Sequence, residues 1–103
     1  MVEFLGVVRP EEGGVRIVAL DYEAFDAMAE KEGQQLLLAV AEAIPVLAVQ
    51  VIHRVGRVPV GEISLRVRVH AAHRKEAFAA CSDIIERLKQ HVPIWKHAVP
   101  VSV

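Results

Sequence analysis

The sequence has little cysteine and almost no net charge. Its 103 residues contain one cysteine, Cys81, and 12 basic against 13 acidic residues, for a formal net charge of -1. A single cysteine excludes an internal disulfide framework and a zinc site built on cysteines, and it suits a reducing compartment. A nearly neutral chain has no overall field to attract nucleic acid or an anionic membrane. We therefore expect a cytoplasmic protein whose anion sites, if any, come from local clusters of Lys and Arg.

Neither a signal peptide nor a membrane span is expected from the sequence. The start, MVEFLGVVRP, lacks the basic and apolar regions of a signal peptide. The most apolar stretch, residues 36–52, contains Glu42, Pro45 and Gln50. It therefore predicts a buried helix end followed by a buried strand, not a transmembrane helix. The length and the 53% hydrophobic content predict one domain over residues 1–103.

The hydrophobic patterns predict an α+β fold with the order β-β-α-β-β-α-β. Residues 2–9 and 15–22 are rich in β-branched residues, and Gly13 and Gly14 between them can take the positive φ of a tight turn. This pattern predicts that the two segments pair as a hairpin. The whole order is typical of two layers, with helices on one face of a mostly antiparallel sheet.

Two helices and three further strands complete the prediction. The first helix spans Glu23 to about Ala43, and the second runs from His73 to just before Pro93, because the residue before a proline avoids the helical region. Strands are predicted at 47–54, 63–70 and 94–101, with residues 54–61 as a turn region. The apolar faces expected for the two helices are Phe25, Met28, Ala29, Leu36, Val40 and Ile44, and Ala77, Phe78, Cys81, Ile84, Ile85 and Leu88.

Common catalytic motifs are absent, and cationic residues are what remains. The sequence has no phosphate loop, no G-x-G-x-x-G, no G-x-S-x-G and no H-E-x-x-H among its five histidines, so neither a metal nor a cofactor is expected. Each cation has an ordinary structural explanation, such as a solvated strand end or the negative end of a helix dipole. Trp95 is by base rate a core or interface aromatic. The candidate site residues are Arg9, His53, Arg54, His73, Arg74, Lys89 and Lys96.

Five ordered motifs together resemble one known family, the large, catalytic subunit of molybdopterin synthase. They are GVVR (Gly6–Arg9), LDYEAFDAM (Leu20–Met28), HRVGRVPVGE (His53–Glu62), HRKEAF (His73–Phe78) and LKQHVPIWK (Leu88–Lys96). Any one of them could arise by chance. All five, in the family's order, cover most of the chain and make the resemblance specific.

The resemblance implies a two-layer fold of the α/β hammerhead type and a homodimer within a heterotetramer. The partner would be a small ubiquitin-like sulfur-carrier subunit with a C-terminal thiocarboxylate. Its sulfur would pass to cyclic pyranopterin monophosphate to form the dithiolene of molybdopterin. By position, Lys89 and Lys96 match the catalytic lysines of the family. Arg9, His73 and Arg74 match its anionic-substrate pocket, and His53 and Arg54, a further cationic pair, complete the expected substrate-binding residues.

Two alternatives to an active synthase stay open at the level of sequence. Members of the family usually carry a basic residue and a glutamate after the W-K pair, where this sequence has His97-Ala98, and usually extend further at both ends. One alternative is therefore a non-catalytic member that binds the ubiquitin-like partner or an anionic ligand. The other, an unrelated ferredoxin-like regulatory domain, requires all five motifs to be coincidental.

Overall fold

The computed structural model describes residues 1–24 and 26–101, so Phe25, predicted on the apolar face of the first helix, lies outside the described residues. The α+β class is confirmed, and two short strands add to the predicted order. The elements are β1 (Val2–Val7), β2 (Glu11–Glu12), β3 (Val15–Ala24), α1 (Asp26–Ala43), β4 (Ala48–His53), β5 (Gly56–Pro59), β6 (Ile63–His70), α2 (Arg74–His91) and β7 (Ile94–Pro100).

The strands form two antiparallel sheets. In the three-stranded sheet, β6 lies between β1 and β4, and in the second sheet β3 pairs with β2, β5 and β7. The alternation predicted for residues 63–70 is confirmed. Val67 and Val69 are fully buried beneath the helices, while Arg66 and Arg68 point to the other face. Both helices therefore cover one face of the three-stranded sheet, as predicted.

The predicted hairpin between residues 2–9 and 15–22 is wrong, because β1 and β3 belong to different sheets. The Gly13-Gly14 turn does form, with φ of 57° and 81°, but it joins β3 to the two-residue strand β2. β1 instead pairs along its whole length with β6. A hydrophobic pattern identifies a strand without identifying its partner, and Pro10, which has no backbone N–H, lies where the chain passes from one sheet to the other.

The turn predicted at residues 54–61 contains a strand, β5. Its Val58 is fully buried opposite Leu20 of β3. Arg57 of β5 donates two hydrogen bonds, at 2.9 and 3.0 Å, to the carboxylate of Asp21 on β3. The Arg57 guanidinium holds the pKa of the Asp21 carboxyl below its usual value. Gly56 and Pro59 led to the prediction of a turn, because glycine and proline are rare inside regular strands.

The buried arc of α2 is narrower than the predicted stripe. It consists of Ala77, Ala80, Cys81 and Ile84, at the spacing i, i+3, i+4, i+7, whereas Phe78 is 61% exposed. Phe78 was wrongly placed in the core because its position, next to Ala77, lies at the margin of the arc. Burial raises the pKa of the Cys81 thiol, as suits an inert core cysteine.

The prediction for α1 is wrong at its start and at one residue of its face. Glu23 and Ala24 extend β3, because they pair with Trp95 and Ile94 of β7. Met28 is 55% exposed, whereas Leu36 and Val40 lie in the core as predicted. Among the described residues, neither helix is long and apolar enough to cross a membrane.

Candidate active site

The end of α2 and the start of β7 bring Lys89 and Lys96 to one cavity. The helix ends at His91, the N–H of Val92 donates to the Leu88 carbonyl, and Pro93 precedes β7. β7 then runs antiparallel along β3, with Lys96 opposite Tyr22. The cavity that both lysines line is called the lysine cavity below.

The lysine cavity has a volume of about 340 Å³ and mostly apolar walls. Its cationic and hydrogen-bonding side chains are few, and they come from β3, β4, β6, α2 and β7. Such a cavity fits a small ligand that has an apolar or planar part and a negatively charged end. Its lining residues are Phe4, Gly6, Val7, Tyr22, His53, Ser64, Leu65, Ile85, Leu88, Lys89, Val92, Ile94 and Lys96.

One wall of the cavity is a short chain of hydrogen bonds. The Tyr22 hydroxyl donates to Ser64 Oγ at 3.3 Å, and the Ser64 hydroxyl donates to the Gly6 carbonyl at 3.2 Å. A Cβ at position 6 would meet the Leu65 Cβ at 3.3 Å, closer than ordinary van der Waals contact. Glycine therefore keeps β1 close to β6 and keeps the cavity open beside this wall.

Lys96 is held by a carboxylate from the second sheet. Its Nζ lies 2.6 Å from Oε1 of Glu12, on the two-residue strand next to the Gly13-Gly14 turn. Both side chains are partly exposed, so this ion pair is weak and easily exchanged. An anion that enters the cavity and binds Lys96 must compete with Glu12.

Glu12→Gln is expected to raise the affinity of the protein for inorganic phosphate by about two- to fivefold, the range that an exposed ion pair supports. The reason is that the substitution removes the carboxylate that competes for Lys96. Isothermal titration with phosphate at low ionic strength measures the change.

Glu42→Gln is the matched control, because it removes the same charge from an exposed position. Glu42 lies on α1 and lines neither the lysine cavity nor the cleft of Arg9. Equal effects of the two substitutions would mean that phosphate responds to net charge and not to the Lys96 pair. A weaker phosphate affinity in Glu12→Gln would also contradict the competition.

Two predicted arginines lie outside the lysine cavity. Arg9 lines a separate polar cleft of about 530 Å³ around the Gly13-Gly14 turn, together with Arg16. Arg54 donates to Glu62 at 2.8 Å and borders a cleft that includes Arg66. His53, by contrast, lines the lysine cavity. His53 is the last residue of β4 and Arg54 follows it, and the two neighbours line different clefts.

His73 and Arg74 lie far from the two lysines within one chain. His73 is the N-cap residue of α2 and Arg74 its first residue, whereas Lys89 lies in its last turn. At the rise of an α-helix, Arg74 and Lys89 are about 22 Å apart. Their participation in a site with Lys89 stays a prediction, and it requires a second copy of the chain.

One residue of this region had two predicted places, and three residues were not predicted. Trp95, expected in the core or at an interface, is 48% exposed, which leaves the interface. Tyr22 lies inside a recognised motif, and Ser64 is buried although it shares the polar register of β6 with Arg66 and Arg68. Glu12 gave no signal, because its partner Lys96 is remote in sequence. Among the described residues, no group of three or more His, Cys, Asp or Glu side chains comes together to hold a metal ion.

Comparison with known proteins gives one consistent match. The family model described as MoaE protein matches residues 1–91. The molybdopterin synthase catalytic subunit of Pyrococcus abyssi is 41% identical over 99 residues, which are 96% of this chain and 67% of that protein. The human protein of the same name is 38% identical over 96 residues, and this chain spans 51% of its length.

A solved structure extends the match to the fold. The crystal structure of molybdopterin synthase from Staphylococcus aureus superposes with a TM-score of 0.91 at 36% identity, covering 99% of this chain and 74% of that one. The likeness therefore holds over almost every described element, including α2 and β7, which carry the two lysines.

Proposed function

The chain belongs to the MoaE family of molybdopterin synthase catalytic subunits, and from this membership we propose that it transfers sulfur to cyclic pyranopterin monophosphate. The donor is the thiocarboxylated C-terminus of a small ubiquitin-like partner, and the product is the dithiolene of molybdopterin. The observation that carries the proposal is the meeting of Lys89 and Lys96 in one cavity. The reaction takes place in the cytoplasm, which suits a chain with one buried, unpaired cysteine.

The charges of the lysine cavity suit both substrates. A thiocarboxylate and a cyclic phosphate are anions, and each gains from a cation held against apolar walls, where electrostatic interactions are less screened than in water. The flat pterin suits the apolar residues between the lysines, among them Ile85, Leu88 and Ile94. The lysines therefore bind the two charged ends, and the apolar walls bind the ring.

The chemistry of the donor requires an acyl transfer. When a thiocarboxylate sulfur bonds to a carbon of the pterin precursor, the sulfur joins two carbons and the intermediate is a thioester. Release of the sulfur on the pterin side then requires water to attack the acyl carbon. Lys89 contacts the acyl oxygen and stabilises the negative charge that develops there, and Lys96 is its electrostatic partner.

The predicted substrate-binding residues call for a homodimer. His73 and Arg74 cannot reach Lys89 of their own chain, so a second copy supplies them to each cavity. The face of the three-stranded sheet away from the helices supports self-association: Leu5 and Ile52 are exposed there on either side of Arg66. Arg9 and Arg54, on the clefts nearby, remain candidates for the phosphate, because a guanidinium binds phosphate with two parallel hydrogen bonds.

Reconstitution tests the proposed function. The chain is mixed with thiocarboxylated small subunit and cyclic pyranopterin monophosphate, and molybdopterin is measured after oxidation to its fluorescent form. We expect molybdopterin to form only when all three components are present. Binding of the small subunit without product would instead identify a non-catalytic member of the family, a reading that the presence of both lysines disfavours.

A further inference from the structure

His53 is oriented by its surroundings in the wall of the lysine cavity. Its Nδ1 lies 2.7 Å from the carbonyl oxygen of Arg54. Because a carbonyl only accepts, Nδ1 carries the proton of the neutral ring and Nε2 carries the lone pair. The ring also meets Tyr22 edge to face, with centroids 4.9 Å apart and planes at 72°. The tautomer and the ring position are thus both fixed.

The cavity leaves Nε2 of His53 available to a ligand. The hydrogen bonds of the described residues include none to this nitrogen, and the ring borders both the lysine cavity and an adjoining apolar groove of about 310 Å³. The charged or titratable groups around it are Tyr22 on β3, Glu30 on α1, Lys89 on α2 and Lys96 on β7. A ligand that spans the cavity and the groove passes across this ring.

We propose that His53 Nε2 is the general base that activates water for release of the carrier from the thioester. This inference rests on the proposed sulfur transfer and assigns a step within it. The water oxygen bonds to the acyl carbon, and the acyl carbon–sulfur bond breaks with its electron pair on sulfur. One water proton passes to Nε2 and on to the departing thiolate. The other leaves with ionisation of the new carboxylic acid, so carrier thioester and water give carrier carboxylate, pterin thiol and one proton.

The composition of the cavity favours His53 for this role over the lysines. Among the described side chains that line the cavity, His53 alone belongs to a type that takes up and releases a proton near neutral pH. The lysines serve better as cations, because a thiocarboxylate, a phosphate and a tetrahedral oxyanion all need positive charge. Base and oxyanion stabiliser are then different residues facing one cavity.

His53→Asn removes the basic lone pair of Nε2 and keeps the hydrogen bond that orients the side chain. The Asn amide can still donate to the Arg54 carbonyl, but it offers no basic nitrogen at the position of Nε2. In a single turnover, we expect the carrier to accumulate as an adduct with the mass of the pterin, and its hydrolysis to slow by about 10²- to 10⁴-fold. Intact-mass spectrometry of the quenched carrier measures both the amount of the adduct and the rate of its hydrolysis. Added imidazole should restore hydrolysis in His53→Ala.

His70→Asn is the matched control, since His70 is an exposed histidine at the end of β6; it should hydrolyse the adduct at the wild-type rate. Circular dichroism checks the fold, and His53→Gln repeats the test if His53→Asn is misfolded. If His53→Asn released the carrier carboxylate at the wild-type rate, the role of His53 would be overturned and the sulfur transfer would stand. The same conclusion would follow if His53→Asn stopped the reaction before the adduct formed. Absence of both adduct and product with the wild-type chain would overturn the sulfur transfer itself.

Discussion

Lys89→Ala is expected to lower the rate of molybdopterin formation by about 10²- to 10⁴-fold, the loss typical of removing an acid–base or oxyanion-stabilising group. Lys89 lies in the last turn of α2 and faces a cavity whose neighbouring walls, Ile85, Leu88 and Val92, are apolar. Alanine leaves those walls without the charge that we propose to stabilise the acyl oxygen. Lys96 is not expected to replace it, because Lys96 lies on a different element, β7, opposite Tyr22 of β3. The measurement is single-turnover product formation with saturating carrier and pterin.

Lys31→Ala is the control for this substitution. Lys31 is an exposed lysine on α1 and lies outside the lining of the lysine cavity, so its removal should leave the rate within about twofold of the wild type. A similar loss in both variants would indicate a general effect of charge. A Lys89→Ala rate near that of the wild type would remove Lys89 from the catalytic residues.

Mixing two variants extends the Lys89 experiment to the proposed dimer. Lys89→Ala and Arg74→Ala should each be strongly impaired, but a mixed dimer has one cavity with Lys89 from one chain and Arg74 from the other. After subunit exchange, an equimolar mixture should recover about a quarter of the wild-type activity, because half of the dimers are mixed and half of their sites are intact. No recovery would contradict a site that combines Lys89 of one chain with Arg74 of the other.

The elements of the fold were predictable wherever the local pattern was regular. The alternation in residues 63–70 and the helical spacing before Pro93 gave the bounds of β6 and α2 almost to the residue. Strand pairing was not predictable in this way, because β1 and β3 carry similar patterns and pair in different sheets. Partner choice depends on contacts between residues far apart in sequence, which a single sequence does not display.

Only the residues of the candidate site that lie in recognised motifs were predictable from the sequence. The L-K and W-K pairs lead to Lys89 and Lys96, and the structure places both on one cavity because Pro93 lies between a helix end and an antiparallel strand. Glu12 has no motif, and its partner Lys96 is remote in sequence. Motifs thus identified the two lysines proposed to act on a ligand, but not the carboxylate that pairs with one of them.

The second large effect is on stability, at Ile84. Its side chain is fully buried between α2 and the three-stranded sheet, in the cluster with Val40, Val67 and Val69. Ile84→Ala removes buried methyl and methylene groups and leaves a cavity, so we expect the free energy of unfolding to fall by about 2–5 kcal/mol. That is a large share of the total for a domain of this size, about 5–15 kcal/mol. Urea unfolding monitored by circular dichroism at fixed protein concentration measures it.

Phe78→Ala gives the comparison that makes the Ile84 result informative. Both residues belong to the stripe predicted from helical spacing, and phenylalanine is the larger side chain, so composition alone would rank Phe78 as the costlier loss. In the structure Phe78 is 61% exposed, and its removal should change the free energy of unfolding of a single chain by about 0.5 kcal/mol or less. A larger loss at Phe78 than at Ile84 would contradict the buried arc of α2. A loss at Phe78 that grows with protein concentration would place this face in the contact between copies.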